Sequence, residues 1–332
     1  MNATSRRPHS HAPRHASSYV CIHGHFYQPP RENPWLEAIE EQPSARPFHD
    51  WNERVAAECY RPNAFARILD GRGRIERIVN NYQRISWNFG PTLLSWMEKA
   101  DPDLYAALQE ADRERVRRTG HGPGMAQAYG HAILPLCHPR DQETHVRWGI
   151  ADFLHRFGRL PKGMWLAETA CDTPALEALA RNGIAFTVLA PHQALKVRAR
   201  GGRWHDARGG KIDPRRPYLV NLPSGRSITV FFYDGPASRG VAFERLLEDG
   251  NRFRDRLTSL FDPRFEGPQL AHIATDGESY GHHHRFGEMG LAYALESLEQ
   301  DPHVILTIYE EFLAHHPPSY EAAIIEGSSW SC

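Results

Sequence analysis

Residues 163–190 read GMWLAETACDTPALEALARNGIAFTVLA. Two short apolar runs, GMWLAE (163–168) and AFTVLA (185–190), flank a helical pattern over Pro174–Asn182. The helix carries a signal at each end. Thr173 reads as its N-cap with Pro174 behind it, and Gly183 stands just past its last turn. Strand, helix and strand in so short a span make a parallel βα unit.

The same alternation extends in both directions. Upstream, YVCIHGHFY (19–27) reads as a first strand with Cys21, His23, His25 and Tyr27 on one face and Val20, Ile22 and Phe26 on the other. Further apolar runs stand at 85–90, 125–130, 229–234, 270–277 and 304–309. Helical patterns over Leu104–Arg118, Glu143–Phe157, Phe243–Leu260 and Gly287–Leu298 lie between several of them. Eight candidate strands interleaved with helices predict an α/β barrel or open parallel sheet, with one strand belonging to an excursion. The polar, turn-rich segment 200–228 reads as an inserted loop or hairpin. Without an internal repeat or interior linker, residues 19–332 are expected to form one domain. Residues 1–18, basic and rich in His and Pro with no apolar core, read as a disordered tail and not as a secretory leader. The abrupt close EGSSWSC suggests either further chain or a plain solvated terminus.

Composition narrows the function classes. A formal net charge of -1 leaves no electrostatic footprint for nucleic acid or an anionic membrane. No stretch approaches the roughly 20 apolar residues of a membrane span. The five cysteines are odd in number and lack Cys-x-x-Cys spacing, which points to reduced thiols and a cytoplasmic location. Eleven per cent aromatic residues and 20 histidines suit a site that stacks flat ligands and bonds their hydroxyls.

In parallel α/β folds the ligand site lies at the carboxyl ends of the strands, so what each run ends on matters. The first carries His23 and His25, the third leads to His131, the fourth ends on Glu168 and the seventh on Asp276. A carboxylate closing an apolar strand sits at low dielectric beside solvent, which raises its pKa and suits acid or base work. Two carboxylates across a sugar ring are the minimum apparatus for glycoside hydrolysis. Each residue also has a plainer reading. Glu168 could cap or pair, Asp276 could make an Asx turn before Gly277, and Glu278 reads as supporting structure. His23 and His25 could be satisfied buried histidines, Trp165 core packing, His283 and His284 a solvated loop, and Cys171 an inert thiol.

Ordered motifs decide among these readings. The chain carries His23-Gly24-His25-Phe26-Tyr27-Gln28-Pro29, Gly130-His131-Ala132-Ile133-Leu134-Pro135-Leu136, Trp165-Leu166-Ala167-Glu168 and Asp276-Gly277-Glu278-Ser279-Tyr280-Gly281-His282. In this order they resemble glycoside hydrolase family 57, over residues 19 to 332. The resemblance implies a (β/α)7 barrel acting on α-glucans, with Glu168 as nucleophile and Asp276 as acid/base. It further implies His23, His25, His131, Trp165 and His282 as substrate contacts, with no cofactor and no metal. The His131 run is similar to the amylase-like and branching-enzyme-like members. Two departures stand out: His283-His284 where the family often has an aromatic residue after Gly-His, and Phe-Tyr inserted before Gln-Pro. Little room remains after residue 310 for the family's C-terminal helical region, so the barrel is expected without all of its subsites.

The reading is therefore a retaining hydrolase or transglycosylase with an α-glucan or oligosaccharide as its partner. Two alternatives compete. One is a metal-dependent polysaccharide deacetylase-like hydrolase using Asp276 with His23, His25 or His131 as ligands. The other is a non-catalytic glucan-binding protein.

Overall fold

The computed structural model describes residues 18–331, so the tail read over residues 1–18 lies outside the described residues except for Ser18, which already belongs to a strand. Seven strands build the centre: β1 (Ser18–Phe26), β2 (Ser86–Phe89), β3 (Ala126–Gln127), β4 (Met164–Trp165), β5 (Phe186–Leu189), β6 (Ser227–Phe232) and β7 (Gln269–Asp276). Parallel ladders join β7 to β1, β1 to β2, β3 to β4 and β5 to β6. Single parallel bridges, Trp87–Gly124 and Gly163–Phe186, carry the order from β2 to β3 and from β4 to β5. Past the end of β6, Asp234 N–H donates to His272 O of β7 at 2.9 Å, so backbone contacts run all the way round.

The period-2 pattern of the strands explains the layers. Cys21, Met125, Trp165, Phe186, Val188, Phe231, Leu270 and Ala274 pack together inside the ring. Val20, Ile22 and Phe26, on the other face of β1, pack outward on Leu291, Leu295 and Leu298 of the helix Gly287–Glu299. This alternation places every second residue of β1 inside, as its sequence requires. His23 and His25 follow Cys21 along that inner row toward the carboxyl ends of the strands.

Several sequence expectations need correction. The N-cap of the helix Thr173–Arg181 is Asp172, not Thr173: its extended backbone lets the carboxylate accept Ala175 N–H at 2.8 Å. Thr173 is instead the first helical residue, and its N–H and hydroxyl both donate to Glu326. The helix expected over Phe243–Leu260 is shorter, Gly250–Thr258; the helix before it, Gly235–Phe243, ends where the expected one begins. Arg245 takes a left-handed φ of 57°, and Asp249 caps a new start by accepting Asn251 N–H and Arg252 N–H. The eighth apolar run forms only Val304–Leu306, which pairs with the first residues of β1 below β2. The inserted segment supplies Tyr218–Asn221, antiparallel to β6, and this strand is joined in turn by Tyr320–Ile324. That second layer brings the chain back to the site.

Candidate active site

Asp276 is the last residue of β7, and Glu168 sits three residues beyond β4 in the short turn Ala167–Thr169. The Asp276 side chain reaches solvent, yet the protein around it strips away enough water to push its pKa up to about 6, with the Glu168 charge adding to the rise. The two carboxylates therefore feel one another across the mouth of the strand ring. After Asp276 the chain needs glycine: a Cβ on Gly277 would lie 2.2 Å from the Phe26 ring.

Glu168 is half-buried and held in an unusual conformation. Its φ is 56° and that of Thr169 is 50°, both left-handed and costly for residues with side chains. Neighbouring bonds hold the turn in place. Thr169 Oγ1–H donates to Gln193 Oε1 at 2.8 Å, and Gln193 Nε2–H returns to Thr169 O at 2.9 Å. Trp330 N–H donates to Glu168 O at 3.0 Å. The same residue reaches the carboxylate: Trp330 Nε1–H and Ser331 Oγ–H donate to Glu168 Oε2 at 2.9 and 3.0 Å. Both of these bonds go to Oε2, and among the described residues none goes to Oε1.

Trp330 and Ser331 were missed from the sequence. They lie in the closing EGSSWSC stretch, where nothing local marks a partner 162 residues upstream. What delivers them is a two-way bridge between Cys171 and Ser328, together with His192 Nε2–H donating to Ser329 O at 2.8 Å.

A pile of flat rings lines the opposite wall. Tyr27 stacks on His131 at 3.7 Å, His131 on His25 at 5.1 Å, His25 on Trp165 at 5.0 Å and Trp165 on His23 at 4.9 Å. The expected substrate contacts thus separate by depth. Trp165 and His23 have no exposed surface, which places them beneath the others as a floor. His25 lies at 3% exposure just above, and His131 is half-buried with a positive φ of 51°. Burial holds all three histidines neutral, pushing His23 down to about 3, His131 to about 4 and His25 well below its ordinary range. His282 lies apart from this pile; its Nδ1 bonds the Glu58 carboxylate and its ring meets Trp51 edge-on at 5.9 Å.

Glu278 is a further residue that local reading undervalued. It is buried, and its Oε1 accepts both the Tyr60 hydroxyl and Tyr27 N–H. It thereby fixes the Tyr27 ring over His131. Burial, together with the Asp276 charge, pushes its pKa up to about 7.

The strand-end histidines do not gather into a metal-ligand set. Among the described residues, the group of three His or carboxylate side chains whose ligand atoms all lie within 4.8 Å of one another is His49, Asp50 and Glu53, at the start of the helix Trp51–Val55. Asp276 with His23, His25 and His131 forms no such group. The four cysteines described, Cys21, Cys59, Cys137 and Cys171, are free, and burial holds the Cys171 thiol well above its ordinary range.

A parallel strand ring bearing two coupled carboxylates over a floor of aromatic rings belongs to the class of α/β barrels built around carbohydrate chemistry. Within that class the chain is a member of glycosyl hydrolase family 57, whose model matches residues 22–324. Its fold is the (β/α)7 barrel expected from the motifs, and solved structures share it. The 4-alpha-glucanotransferase from Thermococcus litoralis superposes with a TM-score of 0.68 and 18% identity, over 95% of this chain and 42% of that one. The branching enzyme from Pyrococcus horikoshii gives 0.68 and 17%, over 95% and 73%. Alpha-amylase 1 of Dictyoglomus thermophilum is 28% identical over 106 residues, 32% of this chain and 15% of that protein. The chain thus spans less than half the length of the glucanotransferase and a small part of the amylase.

Proposed function

We propose that residues 19–332 form the catalytic barrel of a retaining glycosidase or transglycosylase acting on α-glucans. Glu168 Oε1 attacks the anomeric carbon while Asp276, protonated, gives its proton to the departing glycosidic oxygen. A covalent glycosyl-enzyme results. Asp276, now a carboxylate, then takes the proton of an incoming water or sugar hydroxyl as that oxygen displaces Glu168. Water yields hydrolysis, and a glucan hydroxyl yields transfer.

The observation that carries this reading is the electrostatic pairing of the two carboxylates. One is oriented by Trp330 and Ser331, while burial and its partner's charge favour the proton on the other. His25, His131 and Tyr27 offer neutral polar edges beside them to the sugar hydroxyls, with Trp165 and His23 as support. Free thiols and the lack, among the described residues, of any helix long and apolar enough to cross a membrane fit a cytoplasmic glucan enzyme.

The test is turnover of amylose by Glu168→Gln and Asp276→Asn, with retained binding checked separately and product linkage and anomeric configuration read by proton NMR. Each variant is expected to lose at least about 100-fold in turnover, the order of a missing acid/base or nucleophile. Unchanged turnover in both would reject the catalytic assignment, and an inverted first product would reject retention.

A further inference from the structure

Two histidines that flank Trp165 are tied together by one side chain that no motif singled out. Asn88 on β2 is fully buried. Its Oδ1 lies 3.1 Å from His23 Nε2, and its Nδ2 lies 2.9 Å from His25 Nδ1 and 2.7 Å from Gln127 Oε1. The outer nitrogens complete the chain: His23 Nδ1 lies 3.2 Å from Ser86 Oγ, and His25 Nε2 lies 3.1 Å from His131 Nε2.

With the Asn88 oxygen turned to His23 and its nitrogen to His25, the donor and acceptor inventory sets the protons along this line. A neutral imidazole has one N–H and one lone pair, whereas a primary amide has two N–H groups on nitrogen and lone pairs on oxygen. Both N–H groups of Asn88 are engaged, by His25 and by Gln127. His25 Nδ1 must therefore present a lone pair, which puts its proton on Nε2. Asn88 Oδ1 accepts, so His23 Nε2 carries a proton and its Nδ1 accepts from the Ser86 hydroxyl. One amide thus imposes the same tautomer on both rings.

We infer that Asn88 is a positioning residue that locks His23 and His25 in the Nε2–H tautomer, so that His25 meets a bound ligand as a neutral hydrogen-bond donor. This N–H points at His131 Nε2, 3.1 Å away. The identity of the ligand, a sugar hydroxyl oxygen, rests on the function proposed above; the tautomer does not. In this form His25 Nε2 has no lone pair to give a metal ion, which sets the arrangement apart from the deacetylase-like alternative.

Long-range proton–nitrogen correlation spectra of the 15N-labelled chain test it directly, with His25→Gln used to assign the His25 signals among 20 histidines. The expected result is a protonated Nε2 and an unprotonated Nδ1 on His25 at neutral pH. A His25 protonated on Nδ1 would overturn the proposal, and this readout needs no folded variant at Asn88. In Asn88→Asp the amide N–H is gone, and Gln127, whose Nε2 is buried without a partner, is free to turn and donate. There the His25 proton is expected to move to Nδ1. KM for amylose is then expected to rise about tenfold, with the loss carried in KM more than in kcat, as suits one lost donor. A spectrum unchanged by Asn88→Asp would show that something else sets the tautomer. Absence of amylose turnover in the wild-type chain would count against the glucan reading and leave the tautomer assignment standing.

Discussion

At the scale of single residues, the site depends on how few atoms of Glu168 are left free. Trp330 Nε1–H and Ser331 Oγ–H hold Oε2, while the backbone of Glu168 itself takes a left-handed φ. A hydrogen bond to a charged group contributes roughly 1.5–3 kcal/mol. Replacing Trp330 by Phe keeps most of the ring against Trp165, 5.2 Å away edge-on, but removes the N–H. Turnover of amylose by Trp330→Phe is expected to fall about 10- to 100-fold. An intact fold by circular dichroism would tie that loss to the missing donor. The Trp165–Glu168 motif nominated Glu168 from the sequence. Its supporting bonds were not legible there, because they come from a segment whose local sequence says nothing about where it docks.

At the scale of elements, the boundary between strand and helix places Glu168. The chain leaves β4 at Trp165, turns through Ala167–Thr169 and must start a helix within a few residues. Asp172 starts it by accepting Ala175 N–H. Removing that cap in Asp172→Ala is expected to cost about 1 kcal/mol, measured as a lower urea midpoint, and to loosen the Glu168 turn just before it. The sequence located this helix well, because Pro174 and Gly183 punctuate it. It assigned the wrong cap, since neighbouring Asp172 and Thr173 are both good caps and only backbone dihedrals tell them apart. The helix expected over Phe243–Leu260 starts only at Gly250 for a related reason. Apolar spacing continued through residues 244–249, while the left-handed Arg245 and the Asp249 cap broke the hydrogen-bond ladder.

At the scale of the whole molecule, strands β4 and β7 bring together two carboxylates 108 positions apart. Burial first, and the Glu168 charge second, push Asp276 up to about 6. In the proposed mechanism the acid form does the first chemical step, so kcat/KM is expected to fall as pH rises through about 6. In Glu168→Gln the negative neighbour is gone, and the Asp276 pKa, followed by carboxyl NMR titration, is expected to move down. A pKa that stays put would mean that the two groups do not interact. The alternation of apolar runs with helices, and the ordered motifs, determined the barrel class and the family from sequence alone, and they nominated Glu168 and Asp276 for the site. They could do so because strand periodicity, cap residues and motif spacing are local and survive without knowledge of neighbours. Only the tertiary structure decided the depth of the histidines, the Asn88 link between them, the clamp of Glu278 on Tyr27 and the reach of Trp330 to Glu168. Those contacts join residues 63 to 251 positions apart, and no local pattern records which side chains meet when seven strands close on one another.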